Sequence, residues 1–289
     1  MSTLTASASL GDPSLTLPQA LCRWRADLRQ HSPLIASLFR RFYLHRFRGS
    51  ALGLLWVFVM PCIPLVIYTS LQKLGVFTSS AEDLPRAIYT GWGILLFLAF
   101  AETLRYTTGA LVTHRREILQ TGIPKIALLT VAALQSLGDL ALRSVALLAA
   151  LFLLRVHPSP WLALAPLFAV ALVALAFSLG CVFSLVAVYY RDLLNFLTAA
   201  LGYLFFASGV FSIIPTGTGN FFYEALRLQP VYLIIEQSRH LCLLGPHVLE
   251  SGFIAHPWAL AATTVLCFAC LPLAVTFFYR GESLINNHL

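Results

Sequence analysis

Apolar residues run along this chain in long uninterrupted blocks separated by short polar stretches, a pattern that predicts membrane-spanning helices. Residues 52–71 carry no Lys, Arg, Asp or Glu, and twenty residues of helix match the thickness of a bilayer core. The same pattern places further spans at about 88–112, 126–154, 161–188, 193–214 and 258–279. The expected fold is therefore an all-α polytopic membrane protein with six transmembrane helices in residues 49–280.

Two regions depart from the pattern. In residues 32–48, Leu34, Ile35, Leu38, Phe39, Phe42 and Tyr43 recur at helical spacing, while Arg40, Arg41, His45, Arg46 and Arg48 mostly fall elsewhere. Ser32 suits an N-cap and Pro33 the first helical position, so a helix lying in the membrane interface is expected. A plain basic patch that holds anionic lipid is the alternative. Between the fifth and sixth blocks, residues 215–257 are too polar for one span and too apolar for a simple loop. Asn220–Leu228 and Val231–Leu244, interrupted by Glu224, Arg227, Glu236 and Arg239, read as re-entrant half-helices at the outer interface. Residues 1–31 are expected to be a disordered N-terminus with no signal-peptide core, and 281–289 a short tail.

Four charges fall inside spans: Glu102 and Arg105 in the second, Asp139 and Arg143 in the third. A central Asp or Arg costs about 2.5–3.5 kcal/mol on insertion scales, so each needs a partner. Spacings of three and four allow each helix to neutralise itself, and a polar translocation path is the other reading.

Composition sharpens the class. With 58% hydrophobic residues, 11% charged and a mean hydropathy of +0.80, a soluble enzyme is excluded. The net charge of +7 gathers beside membrane ends, which favours topology and lipid over nucleic acid. Twelve basic residues fall on the N-terminus, the second and fourth loops and the C-terminus, against five on the other loops, so both ends are expected inside the cell. Six scattered cysteines give no disulfide framework, and Cys267 and Cys270, a C-x-x-C inside the last apolar block, read as packing residues. No metal site is expected.

The order of FRGSALGLLWVFVMP, REILQTGIPKIALLTVAALQSLGDL, VYYRDLLNF, FFASGVFSIIP and LQPVYLIIEQSR resembles the permease subunits of bacterial polysaccharide ABC exporters, within the type-2 ABC exporter superfamily. O-antigen and teichoic-acid exporter permeases are the nearer likeness, with capsule permeases close by. The resemblance implies an interfacial gate helix at Leu34–Phe47, within residues 32–48, with Phe39, Arg40, Arg41, Phe42, Tyr43 and Arg46 on it and Arg48 just after it. It implies a coupling helix around Arg115, Arg116, Glu117, Ile118, Gly122 and Pro124. It further implies a homodimer of permeases joined to two copies of a cytoplasmic ATPase, and a lipid-linked glycan moving along an aromatic path in the bacterial inner membrane. Trp56, Trp92, Tyr106, Tyr203, Phe205, Phe206 and Phe211 are the candidates for that path, since ring faces stack on sugars. No G-x-x-x-x-G-K-[ST] occurs, so ATP and magnesium are expected on the partner and no cofactor in this chain.

A drug, haem or lipid exporter permease shares this plan. An integral membrane glycosyltransferase or acyltransferase would need a polar catalytic cluster, whereas His45, His114, His157, His240, His247, His256 and His288 are dispersed. A secondary transporter would show internal repeats.

Overall fold

The computed structural model describes residues 15–47, 53, 55–75, 86–153, 155, 159–211, 221, 226, 228–244 and 257–285, and all regular structure among them is helical. The elements are α1 (Leu17–Gln30), α2 (Ser32–His45), α3 (Leu55–Lys73), α4 (Arg86–Thr113), α5 (Arg115–Thr121) and α6 (Lys125–Leu153). A 3-10 turn (Pro160–Leu164) leads into α7 (Ala165–Tyr189), followed by α8 (Asp192–Ala207), α9 (Pro230–Arg239) with a π-helical turn (His240–Leu244), and α10 (Pro257–Ile285).

Among the described residues, four helices are long and apolar enough to cross a membrane: Ile88–Thr113, Lys125–Leu153, Pro160–Tyr189 and Leu260–Glu282. They correspond to the expected second, third, fourth and sixth spans. The stretches read as the first and fifth spans contain shorter apolar helices, Leu55–Pro64 and Asp192–Ala207. The fifth was expected to reach residue 214, but α8 stops at Ala207 because Gly209 adopts a left-handed conformation, φ 70°, and turns Val210 and Phe211 back into the core.

At the centre of the bundle α4 packs between α6 and α7, and α7 packs in turn against α10. Helices α4 and α7 approach closely at Gly180, where an added Cβ would lie 2.6 Å from Thr107 Cβ. That neighbour is the rigid base of a side chain and cannot swing away. Gly180→Ala is accordingly expected to lower stability by about 1–3 kcal/mol, the usual cost of overpacking. Gly202→Ala, where nothing lies within 4 Å, serves as the control. Thermal midpoints of the detergent-extracted proteins check the difference, and equal midpoints would contradict it.

The N-terminus corrects the sequence reading. Residues 17–30, expected to be disordered, form α1, whose start is fixed by the Thr16 amide donating to Gln19 Oε1 at 3.0 Å. Its partner lies at the far end of the chain. Tyr279 of α10 donates to Asp27 Oδ2 at 2.6 Å, the Arg23 guanidinium sits 4.9 Å from the Tyr279 ring centroid, and Arg280 donates to the Leu15 carbonyl. Only His31 separates α1 from α2, and its amide bonds to Asp27 O. Ser32 thus falls inside the first turn of α2 and does not cap it.

Candidate functional site

The carboxylates inside the spans pair across helices and not within them, which corrects the intrahelical expectation. Arg143 of α6 extends its guanidinium fork to both carboxylate oxygens of Glu102 on α4, each at 2.8 Å, and its Nε donates to the Val57 carbonyl of α3 at 3.1 Å. One residue therefore ties three helices together. A fork across a helix interface makes two parallel charge-assisted bonds, which a pair spaced along one helix matches poorly. Asp139, one turn before Arg143 and 1% exposed in its side chain, turns instead to α2. It accepts from Arg46 Nη2 at 2.5 Å and from the Tyr43 hydroxyl at 3.0 Å, and Arg46 also donates to Tyr106 Oη at 3.1 Å. Gly138 makes room for this, since the Tyr43 ring fills the place where a Cβ would stand, 3.1–3.3 Å away. Arg105 joins neither pair, and its guanidinium lies over the Tyr106 ring.

Helix α2 exists as the amphipathic pattern requires, but its apolar face is covered by protein. Ile35 and Leu38 are buried against Ala127, Leu128 and Val131 at the start of α6. Phe39 stacks on Tyr43, and Phe42 stacks on His114 with ring centroids 4.2 Å apart and planes at 12°. Arg40 and Arg41 face outward, and Arg48 lies outside the described residues.

His114 is also the residue from which α5 begins. The loop read as the coupling helix forms α5 and closes at Gly122, whose left-handed backbone, φ 63°, lets its amide reach Ile118 O at 3.1 Å. Ile118 points inward, packing on the clusters at the start of α6, while Arg115, Arg116 and the 63% exposed Leu119 point outward. Leu119 escaped the sequence reading, although an apolar residue between basic ones on a short helix is a recognisable signal. Glu117 is held below the usual carboxylate range by a hydrogen bond from its own backbone amide and by the neighbouring His114, 3.6 Å away. Pro124 stands at the entry to α6.

The candidate path aromatics divide. Trp92 and Phe211 belong to the buried core, with Trp92 Nε1 donating to Ser238 Oγ at 3.1 Å. Phe205 packs against Phe97 and Phe211 with ring centroids 5.0 and 4.9 Å apart. Tyr106 is held by Arg46. Trp56 is 40% exposed, Tyr203 80% and Phe206 62%, so these three have ring surface available to a ligand.

The most deeply buried charge among the described residues lies on α9, which the sequence reads as a half-helix at the outer interface. Arg239 is fully buried. It donates to Glu236 Oε2 at 2.7 Å and to Gly209 O at 3.1 Å, and sits 3.6 Å from the centroid of the Tyr89 ring on α4. Glu236 is bonded also to His240 Nε2 at 3.0 Å and accepts from Tyr89 at 3.4 Å. The acid and base that interrupt the apolar pattern satisfy each other, so α9 is drawn into the bundle. Most of the companion half-helix, Asn220–Leu228, lies outside the described residues.

An apolar helical bundle with charges paired across its helices defines an integral membrane protein. The chain is similar to the O-antigen export system permease protein RfbA of Myxococcus xanthus, 27% identical over 192 residues, which cover 66% of this chain and 72% of that protein. No family model matches the chain.

Proposed function

We propose that this chain is the permease subunit of an ATP-driven exporter that moves lipid-linked polysaccharide across the bacterial inner membrane. The observation that carries the proposal is the similarity to an O-antigen export permease over two-thirds of the chain. It is supported by the arrangement at one end of the bundle, where α2 and α5 meet through the Phe42–His114 stack and α5 turns Arg115, Arg116 and Leu119 outward. In this reading α3 and α8 complete six spans, both termini are cytoplasmic, and two copies of the chain join two copies of an ATPase that holds ATP and magnesium. Helix α5 docks on the ATPase. Force applied there passes to α2 through the ring stack, and from α2 to α6 through the Arg46–Asp139 pair. The glycan passes the exposed rings of Trp56, Tyr203 and Phe206.

Because Ile118 packs internally, the outward face gives the cleaner test. Leu119→Arg combined with Arg115→Glu is expected to abolish co-purification of the ATPase and to reduce export at least about tenfold, the effect of about 1.4 kcal/mol or more of lost docking energy. The chain should still insert in normal amounts. Unimpaired export by this variant would refute the docking role of α5.

A further inference from the structure

Helix α4 packs between α6 and α7, and the two flanking helices leave a cleft in front of it, a cavity of about 610 Å³ at the end of the bundle away from α5. Trp92 and Leu96 of α4 form its back. One side is α6 from Leu137 to Leu151, and the other is the chain from Leu162 to Val170 at the start of α7. The α6 wall runs about 21 Å, longer than the ~15 Å that one leaflet contributes to a bilayer core.

The wall is hydrocarbon in character. Among the described residues that line it none is charged, and its two polar side chains are already engaged: Trp92 Nε1 donates to Ser238 Oγ, and Ser144 Oγ donates to the Leu140 carbonyl at 2.8 Å. Nothing there would hold a water, which needs polar partners to stay in a cavity. Nor is the cleft sealed. Leu148 and Val170, on opposite sides of it, are both exposed, so it opens onto the surface that faces lipid when these helices span a membrane.

Two residues mark the end of the cleft where a headgroup would lie. Trp161, a residue type that settles at the boundary of hydrocarbon and headgroups, is exposed and immediately precedes Leu162. Arg155 is exposed two residues past the end of α6, with a left-handed backbone, φ 53°. Glycine is the usual residue in that conformation, and a side chain there is strained. The chain thus carries a cation beside the cleft where its backbone favours no side chain at all.

We propose that the cleft between α4, α6 and α7 holds one acyl chain of a membrane phospholipid, with Arg155 meeting its phosphate. The chain fills a space whose lining atoms otherwise lack contact on one side, and it touches all three helices at once. Because Trp92 at the back bonds Ser238 of α9, occupancy also steadies α9. The proposal does not depend on the transport reading, since it uses only the cleft and the membrane around it.

Trp92 is 3% exposed, so a lipid chain meets its ring only by entering the cleft, and its fluorescence is the readout. The full chain, with Trp24, Trp56, Trp161 and Trp258 each replaced by Phe, is placed in phosphatidylcholine vesicles whose acyl chains carry bromine, a contact quencher. Trp92 should lose much of its emission relative to vesicles without bromine. Ala141→Phe with Ser144→Leu fills the cleft from α6, Val170→Phe narrows it from α7, and each should restore the emission. Arg155→Gly relieves the backbone, so the elution profile should stay native. Native mass spectrometry should then show phospholipid binding weakened about threefold, the effect of losing one exposed charge contact. Full emission from the unfilled cleft in brominated vesicles, with a native elution profile, would overturn the site, as would equal quenching in folded filled variants. Relief of the quenching by a trace of polyisoprenol would give the cleft to an isoprenoid chain and overturn the phospholipid assignment. Unchanged phospholipid binding by Arg155→Gly would overturn the role of Arg155.

Discussion

Arg239→Ala is expected to leave almost no folded protein. The substitution removes the cation from a site with no exposure and strands Glu236 beside His240 and Tyr89. Breaking a buried pair by deleting one partner costs about 3–5 kcal/mol, a large part of the 5–15 kcal/mol that holds a typical domain together. It also leaves the Gly209 carbonyl without its donor at the turn that returns the chain to the core. Replacing both charges, as in Glu236→Gln with Arg239→Met, removes the isolated carboxylate and should recover much of the yield. Fluorescence-detected size exclusion after detergent extraction reads both variants. A monodisperse Arg239→Ala peak at wild-type height would show that the cluster does not hold α9 in place.

Asp139→Leu is expected to damage function more than folding. Arg46 is about one-third exposed and can turn to water, so the cost is well below that of a fully buried pair, roughly 1–3 kcal/mol. What is lost is the polar link between α2 and α6, since Arg46 and Tyr43 share the same carboxylate oxygen. With cysteines placed at Leu38 and Val131, in a background lacking the exposed Cys22 and Cys62, cross-linking across that contact should fall several-fold. Export should fall by about tenfold or more, as expected when about 1.4 kcal/mol is lost from the coupling between elements. Asp139→Glu should retain part of the activity, and Arg46→Lys less, because an ammonium cannot reproduce the guanidinium fork that reaches Asp139 and Tyr106 together. Wild-type export by Asp139→Leu would remove the α2–α6 link from the mechanism.

What the sequence made legible follows the length scale of each signal. The long apolar blocks became α4, α6, α7 and α10, because twenty-residue hydrophobicity is a local property. The α2 pattern also became a helix, and α5 stands where the resemblance implied one, with Gly122 ending it by its left-handed backbone. Long-range partnership stayed hidden. Asp139 chooses Arg46, far away in the sequence, over the nearer Arg143, and Tyr279 tethers α1 across nearly the whole chain. The depth of α9 was hidden for the same reason: Glu236 and Arg239 count as polar in a pattern, yet paired and covered by Tyr89 they behave as core. Periodicity likewise does not distinguish Trp92 and Phe211, which pack inside, from Tyr203 and Phe206, which remain exposed.

ATP-driven glycan export is tested most directly by deleting this chain in its native cell and measuring lipid-linked glycan on each side of the inner membrane, alongside affinity purification of the intact chain. The proposed function predicts glycan trapped on the cytoplasmic side, restored to the surface by the wild-type chain but not by Asp139→Leu, and a cytoplasmic ATPase in the purified complex. Surface polysaccharide unchanged by the deletion, with a stable chain that purifies without an ATPase, would contradict it.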